Sequence, residues 1–172
     1  MTSAETRTVT MKGNPLTLVG AEVKAGDPAP DFLSNMGPGN KASLSSFEGK
    51  IKIFNVVVSV DTPVCDVQTK RFSSEVKSLP ENVEVITVSM DLPFSQARYV
   101  KDACIESGVC LSDHQSASFG ESYGVLIKEN RLLARAVFVV DENNIVRHAE
   151  YVKEVADEPD YEAVLKAVKS LS

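Results

Sequence analysis

Residues Ile51-Lys52-Ile53-Phe54-Asn55-Val56-Val57-Val58-Ser59-Val60 form a run dense in apolar β-branched side chains, and Asp61-Thr62-Pro63-Val64-Cys65 follows directly. Such a run predicts a strand covered on both faces, the habit of a central strand. It ends at a helix start: an N-cap oxygen on Thr62 or its neighbour, then Pro63, whose fixed φ and missing N–H suit the first helical position. The helix is expected to reach about Leu79, with Phe72, Val76 and Leu79 on one stripe and Lys70, Arg71, Glu75 and Lys77 off it, and Pro80 marks its end.

Outward from that pair, Val83 to Ser89 reads as a second strand, and Leu92-Pro93 opens a second helix running to about Ser107, stopped by Gly108. A less regular connection with a short helix near Phe119 to Tyr123 leads to a strong strand from Leu132 to Val140. Asp141-Glu142-Asn143-Asn144 then turns the chain into a strand from Ile145 to Tyr151, a hairpin. The last helix opens at Pro159 and carries Tyr161, Val164, Leu165 and Val168 on one stripe. On the amino-terminal side, residues 8–19 alternate around Gly13-Asn14-Pro15 as a hairpin does, and Ala25 to Asn40 is Gly- and Pro-rich loop. The order β-α-β-α-β-β-α combines two parallel crossovers with a terminal antiparallel hairpin. That is the α/β element order of the thioredoxin fold, here with an N-terminal β-hairpin extension.

No repeat or low-complexity stretch divides the chain, so residues 1–172 read as a single domain; at 172 residues it can bury about two-thirds of its unfolded surface. A formal net charge of -6, without a dense basic run, argues against a nucleic acid partner. The longest apolar run, Ala136 to Val140, falls far short of the roughly 18 residues of a membrane span, and the polar opening Met1 to Thr10 lacks the apolar core of a signal peptide. No membrane association and a cytoplasmic location are expected by default. Cys65, Cys104 and Cys110 are too few and too odd in number for a disulfide scaffold; such cysteines are catalytic, metal-binding or simply buried.

With Thr62 as N-cap, Cys65 occupies the third helical position, near unpaired backbone N–H groups and the positive end of the helix dipole, which favours the thiolate. The site follows the carboxyl end of a central strand, where open α/β sheets place their active sites. Inert burial is the competing reading, because free Cys is among the most buried residue types. Thr62 either caps the helix or offers its hydroxyl to the sulfur or to a bound oxygen. Arg135 stands among Leu133, Ala134, Ala136 and Val137, and a guanidinium in an apolar strand needs a buried partner or an exit to solvent. Either a carboxylate satisfies it, or it faces Cys65 across adjacent strands and holds a polar substrate. A thiolate with such donors suits attack on a peroxide O–O bond, leaving a sulfenic acid on Cys65. Position 62 is not Cys, so the Cys-x-x-Cys pair of a dithiol oxidoreductase is absent.

Several separated motifs together resemble the peroxiredoxins, and within them the bacterial thiol peroxidases, or atypical two-cysteine peroxiredoxins. They are Lys12-Gly13-Asn14-Pro15, Gly26-Asp27 with Ala29-Pro30-Asp31-Phe32, Asp61-Thr62-Pro63-Val64-Cys65, Ser89-Met90-Asp91-Leu92-Pro93-Phe94, Leu133-Ala134-Arg135-Ala136-Val137 and Glu158-Pro159-Asp160-Tyr161. The resemblance implies a peroxidatic Cys65, with Thr62 and Arg135 completing its active site. It further implies a hydroperoxide substrate, thioredoxin as reductant, a homodimer, and no cofactor.

Two departures from that pattern stand out. The motif proline seven residues before the peroxidatic cysteine is Val58 here. The resolving cysteine of similar proteins falls, by ungapped matching, on Val100, and Cys104 lies one helical turn further along, a shift of about 6 Å. A Cys65–Cys104 disulfide needs Cα atoms within about 7 Å and therefore local unwinding. Cys104 as resolving cysteine stands beside three alternatives: a buried structural Cys104, resolution by Cys110, and a one-cysteine cycle with an external thiol. A slow redox sensor on the same fold is the non-enzymatic alternative. Cys104, Cys110 and His114 lack the spacing of a zinc site, so no metal is expected. His148 is expected to be solvated on its strand, and Glu154, Asp157, Glu158 and Asp160 to form a solvated acidic face and a helix-start charge bias.

Overall fold

The computed structural model describes residues 6–172. Its strands are β1 (Arg7–Met11), β2 (Asn14–Val19), β3 (Ser34–Asn35), β4 (Lys41–Ala42), β5 (Ile51–Val56), β6 (Val83–Ser89), β7 (Val109–Ser112), β8 (Leu126–Ile127), β9 (Ala136–Val140) and β10 (Val146–Tyr151). The helices are α1 (Pro63–Glu75), α2 (Pro93–Asp102), α3 (Ser118–Ser122) and α4 (Tyr161–Lys169). A seven-stranded mixed sheet in the order β10-β9-β5-β6-β7-β3-β4 forms the centre, and β1-β2-β8 makes a smaller sheet. β5 is parallel to β6 and antiparallel to β9, as a thioredoxin-like core requires.

Alternation along the strands decides which helices cover them. Ile51, Ile53, Val83, Val85, Val137 and Val139 face Phe72 of α1 with Val164 and Val168 of α4. On the opposite face, Phe54, Val56, Ile86, Val88 and Phe138 meet Phe32, Phe119 and Tyr123, the last two rings stacked at 4.2 Å. Removing a ring such as Phe54 from that cluster would cost roughly 3–5 kcal/mol. Lys52 on the same strand is fully buried, its Nζ donating to the Asp141 carbonyl at 3.2 Å and Asn144 Oδ1 at 2.6 Å, and burial lowers its pKa.

Several sequence expectations are corrected. The second crossover delivers β7, part of the stretch expected to be irregular, while β9 lies antiparallel on the other side of β5. The strand expected over 132–140 begins only at Ala136, because Leu132 and Ala134 bond across to Ile127 and Val125 before the chain joins β5 and β10. β5 stops at Val56, leaving 57–60 as a connection to α1. α2 ends at Asp102 rather than near Ser107. His148 is not solvated: it is half-buried, and its Nε2 has no partner among the described residues. Glu154 is not merely part of a solvated face, since it binds the β1–β2 turn; Asp160 stands at the start of α4 as expected of this group and caps it by accepting from Ala163 N at 3.0 Å. Among the described residues no helix is long and apolar enough to cross a membrane. Part of the Met1 to Thr10 opening, residues 1–5, lies outside the described residues.

Candidate active site

α1 starts as its sequence demands. Thr62 is the N-cap with extended φ −98 and ψ 145, Pro63 follows as the first helical residue, and Cys65 sits at the third position with no solvent exposure. A helix provides no internal acceptor for its first N–H groups, so those of Val64 and Cys65 remain available around the sulfur. Thr62 is a cap by backbone only. Its hydroxyl donates to the Ser59 carbonyl at 3.0 Å, which leaves the oxygen lone pairs to accept from a bound O–H. The preceding loop is pinned by Asp91, whose carboxylate accepts from Ser59 Oγ at 2.7 Å, Val60 N at 2.9 Å and Ser89 Oγ at 2.6 Å.

Thr62, Pro63 and Val64 line a cleft of about 290 Å³ together with Val58, Arg135 and Val155, and the β1–β2 turn closes one side through Met11 and Lys12. Val58, standing where the motif proline is expected, adds an apolar wall to this cleft. The turn is fixed by Glu154, which accepts from Thr10 Oγ1 at 2.7 Å, Lys12 N at 2.9 Å and Gly13 N at 3.1 Å. These bonds hold the Glu154 carboxyl well below the usual carboxylate range, at about 2.

Arg135 precedes β9 by one residue and is 2% exposed. Its Nε donates to the Val155 carbonyl at 2.8 Å and its Nη1 to Gln68 Oε1 at 2.7 Å. No carboxylate pairs with it among the described residues, which removes the structural ion pair as an account of its burial. It meets α1 through Gln68, three residues beyond Cys65. A desolvated guanidinium held only by neutral acceptors is costly unless an anion completes the site. Gln68 is in turn held by Asn55, and Asn55 by Thr69 and Thr87, a fully internal polar chain.

The structure separates the other two cysteines. Cys104 lies outside α2 and is exposed, with φ +53. Its N–H donates to the Lys101 carbonyl at 3.3 Å and that of Ile105 to Val100 at 3.0 Å, the paired bonds of a Schellman helix end with Cys104 in the left-handed position usually given to glycine. It is therefore neither buried nor on the α2 face carrying Val100. Cys110 lies on β7 opposite Thr87, partly buried, and burial with the nearby Asp91 charge pushes its thiol up to about 11. His114 bonds Ser112 Oγ through Nδ1 at 2.7 Å. All three cysteines are unbridged.

Sequence reasoning missed Gln68, Asn55, Asp91 and Glu154. Gln68 was discoverable as the residue one turn after Cys65 on the same helix face, and Asn55 as an amide inside an apolar strand. Glu154 was missed because its partners in the β1–β2 turn are more than 140 positions away.

Comparison with known proteins supplies the family. The Redoxin family profile matches residues 24–165. The chain is 53% identical to the thiol peroxidase of Oceanobacillus iheyensis over 157 residues, 91% of this chain and 95% of that protein. It is 51% identical to the thiol peroxidase of Bacillus subtilis over 163 residues, 95% and 97% of the two. A peroxiredoxin-like protein from Aquifex aeolicus superposes with a TM-score of 0.89 at 38% identity, covering 96% of this chain and 98% of that one. With a buried cysteine in the first turn of α1, whose preceding residues Thr62, Pro63 and Val64 line a cleft together with Arg135, the chain belongs to the Redoxin family and, within it, to the thiol peroxidases, enzymes that reduce hydroperoxides through cysteine chemistry.

Proposed function

We propose that Cys65 is the peroxidatic cysteine of a thioredoxin-dependent cycle, that Thr62 and Arg135 bind the hydroperoxide, and that Cys104 resolves the oxidised sulfur. One observation carries the reading: Arg135 is buried on the Thr62 cleft with neutral acceptors only, so an anionic sulfur in the first turn of α1 supplies the charge it lacks.

The Cys65 thiolate attacks the near oxygen of ROOH. An S–O bond forms as the O–O bond breaks, sulfur loses two electrons to the peroxide, and RO⁻ takes a proton to leave as ROH. Donors on Arg135 and the free N–H groups of α1 stabilise the charge on the departing oxygen, and Thr62 accepts from the peroxide O–H. Cys104 as thiolate then attacks the Cys65 sulfenic acid; the S–S bond forms and hydroxide leaves, protonated to water. A reduced thioredoxin-type dithiol restores both thiols by exchange.

Exposure favours Cys104 over Cys110. Cys104 is open to solvent, whereas Cys110 is partly buried and its thiol is pushed up to about 11 by burial and the nearby Asp91 charge, which leaves little Cys110 thiolate at neutral pH. Because Cys65 has no exposure, both sulfurs must leave their resting places for the bond to form, and α1's first turn and the end of α2 are the elements that move. One domain over residues 1–172, a cytoplasmic setting and a homodimer complete the proposal. A slow redox sensor remains the alternative that Val100, in place of a cysteine, favours. Stopped-flow oxidation of the purified protein by an organic hydroperoxide decides between them. Rapid Cys65-dependent turnover with thioredoxin and its reductase is expected, and a Cys65→Ser protein that keeps turning over overturns the assignment.

A further inference from the structure

Asn55 has no solvent exposure and sits in β5 on the face beneath α1. Peroxide chemistry does not touch it, yet its three hydrogen bonds have a direction set from outside. Arg135 can only donate, so Gln68 must present its carbonyl oxygen to Nη1. Gln68 Nε2 then points away and donates to Asn55 Oδ1 at 2.5 Å. Asn55 in turn spends both amide hydrogens on Thr69 Oγ1 at 3.1 Å and Thr87 Oγ1 at 3.0 Å. Reversing either amide would set donor against donor inside the core, a cost unrelieved by water there. The chain therefore has one polarity, running from the guanidinium to two threonine hydroxyls on α1 and β6.

We infer that Asn55 is a positioning residue for the peroxidase reaction: by holding Gln68 in the carbonyl-forward orientation it fixes the Arg135 guanidinium on the Thr62 cleft. The inference rests on the reading of Arg135 given above. Without Asn55, Gln68 loses the acceptor that keeps it from rotating, and Arg135 retains only the Val155 carbonyl as a fixed contact. A guanidinium with one anchor samples orientations that do not face the sulfur or the peroxide, and displacement of that kind lowers reaction rate without removing any reacting group.

The test compares Asn55→Leu, Asn55→Asp, the isosteric pair Thr69→Val/Thr87→Val, and Arg135→Met, each in a protein with Cys65 as its sole thiol. Readouts are the second-order rate of Cys65 oxidation by tert-butyl hydroperoxide, from sulfenic acid trapping and mass spectrometry, and the pH midpoint of Cys65 alkylation. Asn55→Leu is expected to lower the oxidation rate about tenfold and to raise the alkylation midpoint. Asn55→Asp keeps an acceptor for Gln68 Nε2 and is expected to recover most of the rate. If Asn55→Leu fails to fold, the threonine pair carries the comparison, with the same direction expected. A folded Asn55→Leu or threonine-pair protein with wild-type rate and alkylation profile overturns the inference while Arg135→Met still slows the reaction. An unchanged rate in Arg135→Met instead overturns the reading of Arg135 on which it rests.

Discussion

Arg135 Nη1 and Gln68 Oε1 lie 2.7 Å apart, joining the residue that enters β9 to the turn of α1 next to Cys65. The guanidinium is thus oriented from the helix that carries Cys65, the proposed nucleophile. Arg135→Met removes the charge while keeping much of the volume. It is expected to lower the rate of peroxide reaction with Cys65 by about 10²–10³, the usual loss when a preorganised donor is deleted. Stability should fall, since two buried acceptors are left unpaired, at about 1–3 kcal/mol each. Stopped-flow kinetics and a thermal melt check the two halves separately, and an undiminished rate contradicts the role of Arg135.

Cys110 gives a prediction at alkaline pH. Its thiol stands at about 11 in the fold because burial and Asp91 disfavour the thiolate, whereas in the unfolded chain it ionises near 8.5. The unfolded state therefore loses its proton first, and the stabilisation is complete below about 8.5 and is lost as pH rises through 11. Urea unfolding between pH 8 and 11 should fall by roughly 2–3 kcal/mol more for the wild type than for Cys110→Ala. Parallel curves would mean that the thiol is not desolvated.

The start of α1 was legible in the sequence because every signal there is local: a β-branched run, a cap residue, a proline, then the cysteine. The sheet edges were not. Residues 132–134 read as strand, yet they bond toward Val125 and Ile127 before β9 begins, and a hydrophobic pattern cannot report which neighbour a segment pairs with. β7 is only four residues long and half-exposed at its start, so it lacked the apolar run by which β5 was recognised. The end of α2 was missed for a different reason. Its left-handed cap is Cys104, and the glycine that marks such an end lies four residues later, at Gly108. Arg135 was found as an anomaly of burial, but its partners were not, because its neutral acceptors Gln68 and Val155 carry no charge pattern.

Glu154 ties the β1–β2 turn over the cleft through Thr10, Lys12 and Gly13, and its carboxyl stands at about 2 as a result. The ionised form is the one bonded, so this stabilisation is present above the ordinary glutamate value of about 4.3 and is lost as pH falls through about 2. Glu154→Gln should leave the fold intact at pH 7 but loosen the Met11–Lys12 wall, raising KM for bulky hydroperoxides more than it lowers kcat. The melting difference between wild type and variant should shrink as pH drops from 5 toward 3. Equal KM values for large and small peroxides would separate the turn from substrate binding.

Cys104 sets conformational stability against its proposed place in the catalytic cycle. It occupies the left-handed cap of α2 at φ +53, where a side chain costs about 1–2 kcal/mol that glycine does not pay. Cys104→Gly should therefore raise the melting temperature by about 2–4 °C per kcal/mol gained in a protein of this size. Cys104→Ala, which keeps a Cβ at the same φ, should give no such gain and controls for loss of the thiol. Both variants lose the sulfur proposed to resolve Cys65. After one equivalent of hydroperoxide the oxidised product should be a Cys65 sulfenic acid rather than a Cys65–Cys104 disulfide, and excess peroxide should drive it on to the sulfinic acid. Peptide mapping reads each product directly. If Cys104→Gly is more stable and still turns over with thioredoxin, the cap is strained but the resolving sulfur lies elsewhere. A Cys65–Cys110 linkage in that protein would then identify it.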